Sequence, residues 1–142
     1  MLFKVVRDLS RKTTNERIIQ MKKKIYISGP ISGYDIEERM EAFATAKKFL
    51  EIEGYEVCNP LENGLPSDAD THQHMRADLK MLVQCDEILL LNKWNHSAGC
   101  FVEFMVAVAI GCKLRFCDMF TSIPERKIFA DGCLQSFTAF FK

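Results

Sequence analysis

Glu103 is the only formally charged side chain between Lys93 and Lys113, and its neighbours in AGCFVEFMVAVAIG are apolar. An unpaired carboxylate buried in such surroundings is costly, or it takes up a proton and becomes neutral. Glu103 must therefore be partnered, protonated, or turned towards a cleft in which a ligand completes its environment. A helix capped by Asn95 or Ser97 puts Glu103 in its second turn, and helical side chains lean back towards the helix N-terminus. Ser97 and Gly99 fall in the opening turn, where free N–H groups and the positive dipole end attract anions. An anion pocket one turn above a carboxylate follows. The plain alternative is a structural Glu103, paired with Arg76, Lys113 or a backbone donor.

A second acid strengthens the chemical reading. Met75, Leu79, Leu82 and Val83 trace one helical face after Thr71; Met75, Leu79 and Leu82 define its buried stripe, and Asp78 lies about 60° from the middle of that stripe. Two carboxylates in different environments near one cleft suit glycosyl chemistry. One attacks the anomeric carbon and the other gives a proton to the leaving group. Asp86, at the start of an apolar strand, reads as a structural or helix-end contact. His96 is a loop histidine, either solvated or a proton carrier. Trp94 either stacks on a nucleobase or covers the end of the sheet, and Tyr26 either fills the core or turns its hydroxyl to the pocket.

These residues need a frame, and the chain supplies one. KIYIS (24–28) reads as a strand halted by Gly29-Pro30, YEVC (55–58) as a second halted by Asn59-Pro60, DEILLL (86–91) as a third and KLRFC (113–117) as a fourth. Between them, Asp35 with Glu38 and Asp70 with Gln73 mark helix starts. Ile36, Met40, Phe43 and Leu50 recur at helical spacing in the first of these helices, which Gly54 ends. The third helix, holding Glu103, stops at Gly111. Strands alternating with helices predict an α/β fold, a three-layer sandwich around a mostly parallel sheet of about four to five strands. Ligands of such folds bind beyond the carboxyl ends of the strands. The segments there are SGPISG (28–33), CNPLENG (58–64) and NKWNHSAG (92–99). Residues 1–21 read as an appendage, disordered or helical, and 22–142 as a single domain with a final helix around 132–141.

Composition excludes several function classes. With 19 basic and 19 acidic residues the net charge is zero, so no nucleic-acid polymer is expected as a partner. The longest apolar run, Phe104 to Cys112, is too short to span a bilayer, and no signal-peptide core opens the chain, so a cytoplasmic protein without membrane contact is expected. Six cysteines without CxxC spacing read as reduced core thiols. His72 and His74 lack a cysteine pair to complete a zinc site, so no metal is expected. The loop SGPISG has neither a G-x-G-x-x-G nor a GK[ST] spacing, and no cofactor is called for.

Together, YISGPISG (26–33), RADLKMLVQCDEILLL (76–91) and SAGCFVE (97–103) resemble the nucleoside 2-deoxyribosyltransferase superfamily, in its DUF4406 branch. The spacing is most similar to that of the 2'-deoxynucleoside 5'-phosphate N-hydrolases. Their Tyr-x-x-Gly-x-Ile-x-Gly pattern falls on Tyr26, Gly29, Ile31 and Gly33, and their Ser-x-Gly-x-x-x-Glu pattern on Ser97, Gly99 and Glu103. Asp78-Leu79 precedes the strand that starts at Asp86, as in the family. The resemblance spans residues 23–117 and implies a flavodoxin-like sheet in a homodimer or larger assembly. It also implies that Glu103 attacks C1' of a nucleoside or nucleotide while Asp78 helps the base depart, with Tyr26 beside them. Ser97 and Gly99 would then hold a 5'-phosphate, and Gly29, Pro30, Ile31, Gly33, Asn59 and Trp94 would line the substrate. Ser32 stands where the hydrolases carry a basic residue, and Met105 where glycine is usual. Hydrolysis and deoxyribosyl transfer both fit these residues. A non-catalytic nucleotide-binding module and a structural protein are the competing expectations.

Overall fold

A computed structural model describes residues 22–117. The extension at 1–21 and the expected helix around 132–141 lie outside the described residues. Four strands form one parallel sheet: β1 (Lys24–Ser28), β2 (Glu56–Cys58), β3 (Glu87–Leu91) and β4 (Lys113–Cys117), in spatial order β2-β1-β3-β4. The connections contain α1 (Ile36–Ile52), α2 (Thr71–Leu82) and α3 (Ala98–Ala109). The α/β expectation therefore holds, with four strands among the described residues.

Burial explains the strand sequences. β1 and β3 are the inner strands, covered on both faces, and all five residues of β3 are buried. Continuous apolar runs are what such positions require. Ile25, Ile27, Leu89 and Leu91 point to one face and pack with Phe43, Ala46 and Leu50 of α1. Tyr26, Ile88 and Leu90 point to the other and pack with Leu82 of α2 and with Cys100, Phe104 and Ala107 of α3.

The helix starts follow the caps read from sequence. Asp35 accepts from the Glu38 N–H at 3.0 Å, and Asp70 and Gln73 form a reciprocal capping box at 2.8 and 3.1 Å. The apolar stripes are shorter than expected. Ile36 and Met40 are 52% and 56% exposed, because the first turns of α1 run past the strand ends before Phe43 reaches the sheet. Val83 is the C-cap of α2 and 54% exposed; that stripe ends at Leu82.

The sheet order reverses between β1 and β3. Chain leaves β1 towards β2 on one side, then returns across it to β3 and β4. Ligand crevices form at such a reversal. Gly29 lies in this gap, where an added Cβ would stand 2.9 Å from Leu91 Cδ1 and 3.1 Å from Phe43 Cζ. Gly29→Ala is therefore expected to cost about 1–3 kcal/mol, the scale of forcing one extra carbon into a filled core. Thermal unfolding checks this, and an unchanged melting temperature would mean that the gap yields.

Candidate active site

Glu103 is 7% exposed on α3, and its side chain reaches the carboxyl end of β1. Oε1 accepts from the Ser28 hydroxyl at 3.3 Å, a long contact, while Oε2 is buried without a hydrogen-bond partner. Among the described residues no cation lies within ion-pair distance of it. Lys113, one of the partners considered for it, instead faces Glu87 at 3.9 Å at the other end of the sheet. Glu87 is as deeply buried as Glu103, but it has that lysine and the Tyr55 hydroxyl beside it. Glu103 has hydroxyls beside it but, among the described residues, no cation. Desolvation pushes its pKa up to about 8, and the charge of Asp78 adds to the rise, while Tyr26 and Ser28 oppose it.

Tyr26 is fully buried, and its hydroxyl makes no hydrogen bond of good geometry, although it lies in the field of Glu103. Burial first, then the Glu103 and Asp78 charges, keep the phenol protonated far above its ordinary range. The ring thus fills the core, and the hydroxyl lies beside the Glu103 carboxylate. Removing a buried hydroxyl that lacks a good partner relieves a desolvation cost of about 1–3 kcal/mol. Tyr26→Phe is expected to melt no lower than the parent and to move the Glu103 titration further up, as read by carboxyl NMR. A clear drop in melting temperature would show that the hydroxyl is well bonded.

Asp78 is half-buried at the edge of α2. Desolvation raises its pKa, and a hydrogen bond from Asn63 works against the rise. Asn63 Nδ2 donates to Asp78 Oδ1 at 2.9 Å and lies 3.0 Å from His74 Nδ1. The two acids therefore sit in one field with opposite surroundings: Glu103 nearly bare, Asp78 held by a donor.

Ser97 caps α3 by accepting from the Cys100 N–H at 3.3 Å, which leaves its own proton free to donate. Gly99 leaves the opening turn lightly covered, with Met75 Cε 3.5 Å from where a Cβ would stand. Gly33 turns the first loop at φ 84°, where only open space surrounds it. The other expected contact residues face inward. Pro30 is fully buried, Ile31 packs against the α1 side of the core, and Asn59 Oδ1 accepts from the Leu61 N–H at 3.0 Å. Trp94 is 4% exposed and packs on Phe104 and Phe116 with centroids 4.9 and 5.9 Å away. Stacking on a base gives way here to covering the sheet end, because the indole completes an aromatic cluster. His96 is exposed on the turn before α3, and Asp86 accepts from the Lys24 N–H at 3.0 Å as a structural contact. Among the described residues no cluster of three His, Cys, Asp or Glu could hold a metal ion, and no helix is long and apolar enough to cross a membrane.

Residues 23–116 match the model of DUF4406, a domain of unknown function. The chain belongs to this family. No curated protein matches the chain by sequence. Solved structures resemble it at low identity. A 2-deoxyribosyltransferase from Bacillus psychrosaccharolyticus is 18% identical with a TM-score of 0.54, over 71% of this chain and 78% of its own. A conserved protein from Enterococcus faecalis is 18% identical with a TM-score of 0.58, over 80% and 87%. A CMP N-glycosidase from Clostridium botulinum is 17% identical with a TM-score of 0.50, over 83% and 99%. The fold of this DUF4406 protein is the one these structures share.

Ser28 and Asn63 enter the site without having been singled out in sequence, and His74, considered there only for zinc, enters it beside Asn63. Ser28 ends β1, where the alternation of the strand turns it to the Glu103 side, and that parity was available to read. Asn63 and His74 carry no such signal, since their meeting depends on how the loop after β2 lies over α2.

Proposed function

We propose that this protein cleaves the N-glycosidic bond of a nucleoside or nucleoside 5'-monophosphate, with Glu103 as nucleophile at C1' and Asp78 as proton donor to the base. One observation carries the reading: a buried carboxylate with no cation beside it among the described residues, one bare oxygen, and a second acid in its field, at the point of sheet reversal. A folded chain gains nothing from an uncompensated acid in this position, whereas an electron-poor sugar carbon would supply the missing partner. The positive charge that develops at C1' and O4' as the bond breaks is what Glu103 lacks in the free protein. Tyr26 and Ser28 favour the ionised form and orient it.

Two structural neighbours are by name a 2-deoxyribosyltransferase and a CMP N-glycosidase, which supports this class of reaction. A 5'-phosphate is supported by the Ser97 hydroxyl and the first-turn N–H groups of α3. Arg39 and Lys93 add cations at the same end of the sheet, both against the Tyr34 ring at 5.5 and 5.7 Å. Water as acceptor gives hydrolysis, and a second base gives transfer.

The test is incubation with deoxynucleosides and their monophosphates, followed by chromatography for free base, with Glu103→Ala as control. Base released by the parent alone supports the proposal. Release by both proteins, or by neither, overturns it.

A further inference from the structure

Resting on the glycosidic reading above, we infer that Asn63 is a positioning residue: it fixes Asp78 with one oxygen free for proton transfer, and it does so only while His74 carries its proton on Nε2. The Asn63 amide cannot be turned over. Its Oδ1 accepts from the Leu65 N–H at 3.0 Å, so the NH2 group must face α2. There it has two protons and two neighbours, Asp78 Oδ1 at 2.9 Å and His74 Nδ1 at 3.0 Å. His74 and Asp78 are one helical turn apart on the same face of α2, so one amide spans both. An amide nitrogen offers no lone pair, and His74 Nδ1 must therefore be the acceptor. A proton on Nδ1 would set donor against donor and push the amide off Asp78.

The loop is built to hold this geometry. Asn59 accepts from the Leu61 N–H, the Asn63 N–H donates to the Pro60 carbonyl at 3.2 Å, and Lys47 clamps Glu62 at 2.9 Å. Asp78 Oδ1 is thus committed, whereas Oδ2 takes no hydrogen bond from any described residue. Oδ2 is the working oxygen. As the C1'–N bond breaks, its electron pair goes to the base nitrogen, which takes the proton from Oδ2, while a Glu103 oxygen bonds to C1'. Asp78 is left as a carboxylate. Because Asn63 can only donate, its bond strengthens as that negative charge forms, which is when help is needed.

Two measurements on the full chain test this. Long-range nitrogen–proton NMR is expected to find His74 Nδ1 unprotonated in the resting protein; a proton there overturns the inference, whatever the enzyme does. In kinetics, Asn63→Ala is expected to lower kcat on natural nucleosides about 10- to 100-fold with little change in KM, part of the roughly 10²–10⁴ that proton transfer supplies. A deoxyriboside with a p-nitrophenol leaving group departs without a proton and is expected to keep the parent rate. An equal loss on both substrates, or no loss on either, overturns the inference. If the parent releases no base at all, it is the glycosidic reading that fails, and the His74 spectrum still judges the network.

Discussion

Glu103→Gln is expected to lose base release by at least about 10³-fold, the scale seen when a group bonding to the reaction centre is removed. At pH 8.5 the same variant is expected to melt roughly 10 °C above the parent. The two effects have one cause. In the folded protein the Glu103 pKa stands at about 8, against an ordinary 4.5. Between those values the native state keeps a proton that the unfolded chain has released. Stability from this group is therefore full below pH 4.5 and falls as the pH rises through the folded value of about 8. The loss amounts to about 5 kcal/mol, each pKa unit being worth about 1.4 kcal/mol. Glutamine fits the same space without a charge, so the difference in melting temperature should vanish near pH 5 and widen above pH 7. A variant that melts lower than the parent at pH 8.5 would mean that donors satisfy the carboxylate, and the nucleophile would lose its physical basis. The parent's rate should carry the same signature. With the pKa at about 8, only about one molecule in a hundred holds the carboxylate at pH 6. Because Glu103 must lose its proton while Asp78 keeps one, kcat/KM of the free enzyme should pass through a maximum with pH, limited on both sides by the two acids.

Such a residue is visible in sequence for the same reason that it is costly in structure. A lone acid in AGCFVEFMVAVAIG breaks the pattern of its helix, and so do Asp35 and Asp70, which mark helix starts by chemistry that is local to four residues. The β1 and β3 runs are legible because burial on both faces leaves room for little but apolar side chains. What depends on distant packing was not legible. Ile36 and Met40 have the right spacing for a buried stripe, but spacing cannot say where the sheet ends beneath it. Trp94 has the right chemistry for stacking, yet Phe104 and Phe116 claim its ring from two other elements. Glu87 sat unnoticed in DEILLL, although it is a second buried acid, because its Lys113 and Tyr55 neighbours come from other strands and loops. The contrast between those two acids is a property of the fold, and it is the fold that singles out Glu103.

Asp78→Ala is expected to lower kcat on purine and pyrimidine nucleosides by about 10²–10⁴, the range that a positioned proton donor contributes. A nucleobase leaves poorly as an anion, so the donor matters most where the leaving nitrogen is most basic. The loss should therefore shrink as the base becomes more acidic and nearly vanish for a p-nitrophenyl deoxyriboside, which needs no proton. Stability should move in the opposite sense to activity. Asp78 is half-buried, and desolvation raises its pKa in the folded protein despite the Asn63 donor. The native state then holds its proton to a higher pH than the unfolded chain does. Its contribution is accordingly full at low pH and declines as the pH passes above the ordinary carboxylate range. Asp78→Asn should thus melt no lower than the parent at neutral pH, provided that Asn63 finds the new side chain's oxygen. Rates on a series of leaving groups decide the role: a loss that is uniform across the series would make Asp78 a substrate contact, while a loss graded by basicity makes it the acid. Only the graded outcome is compatible with Glu103 and Asp78 dividing one reaction between a bare carboxylate and a donor-held one.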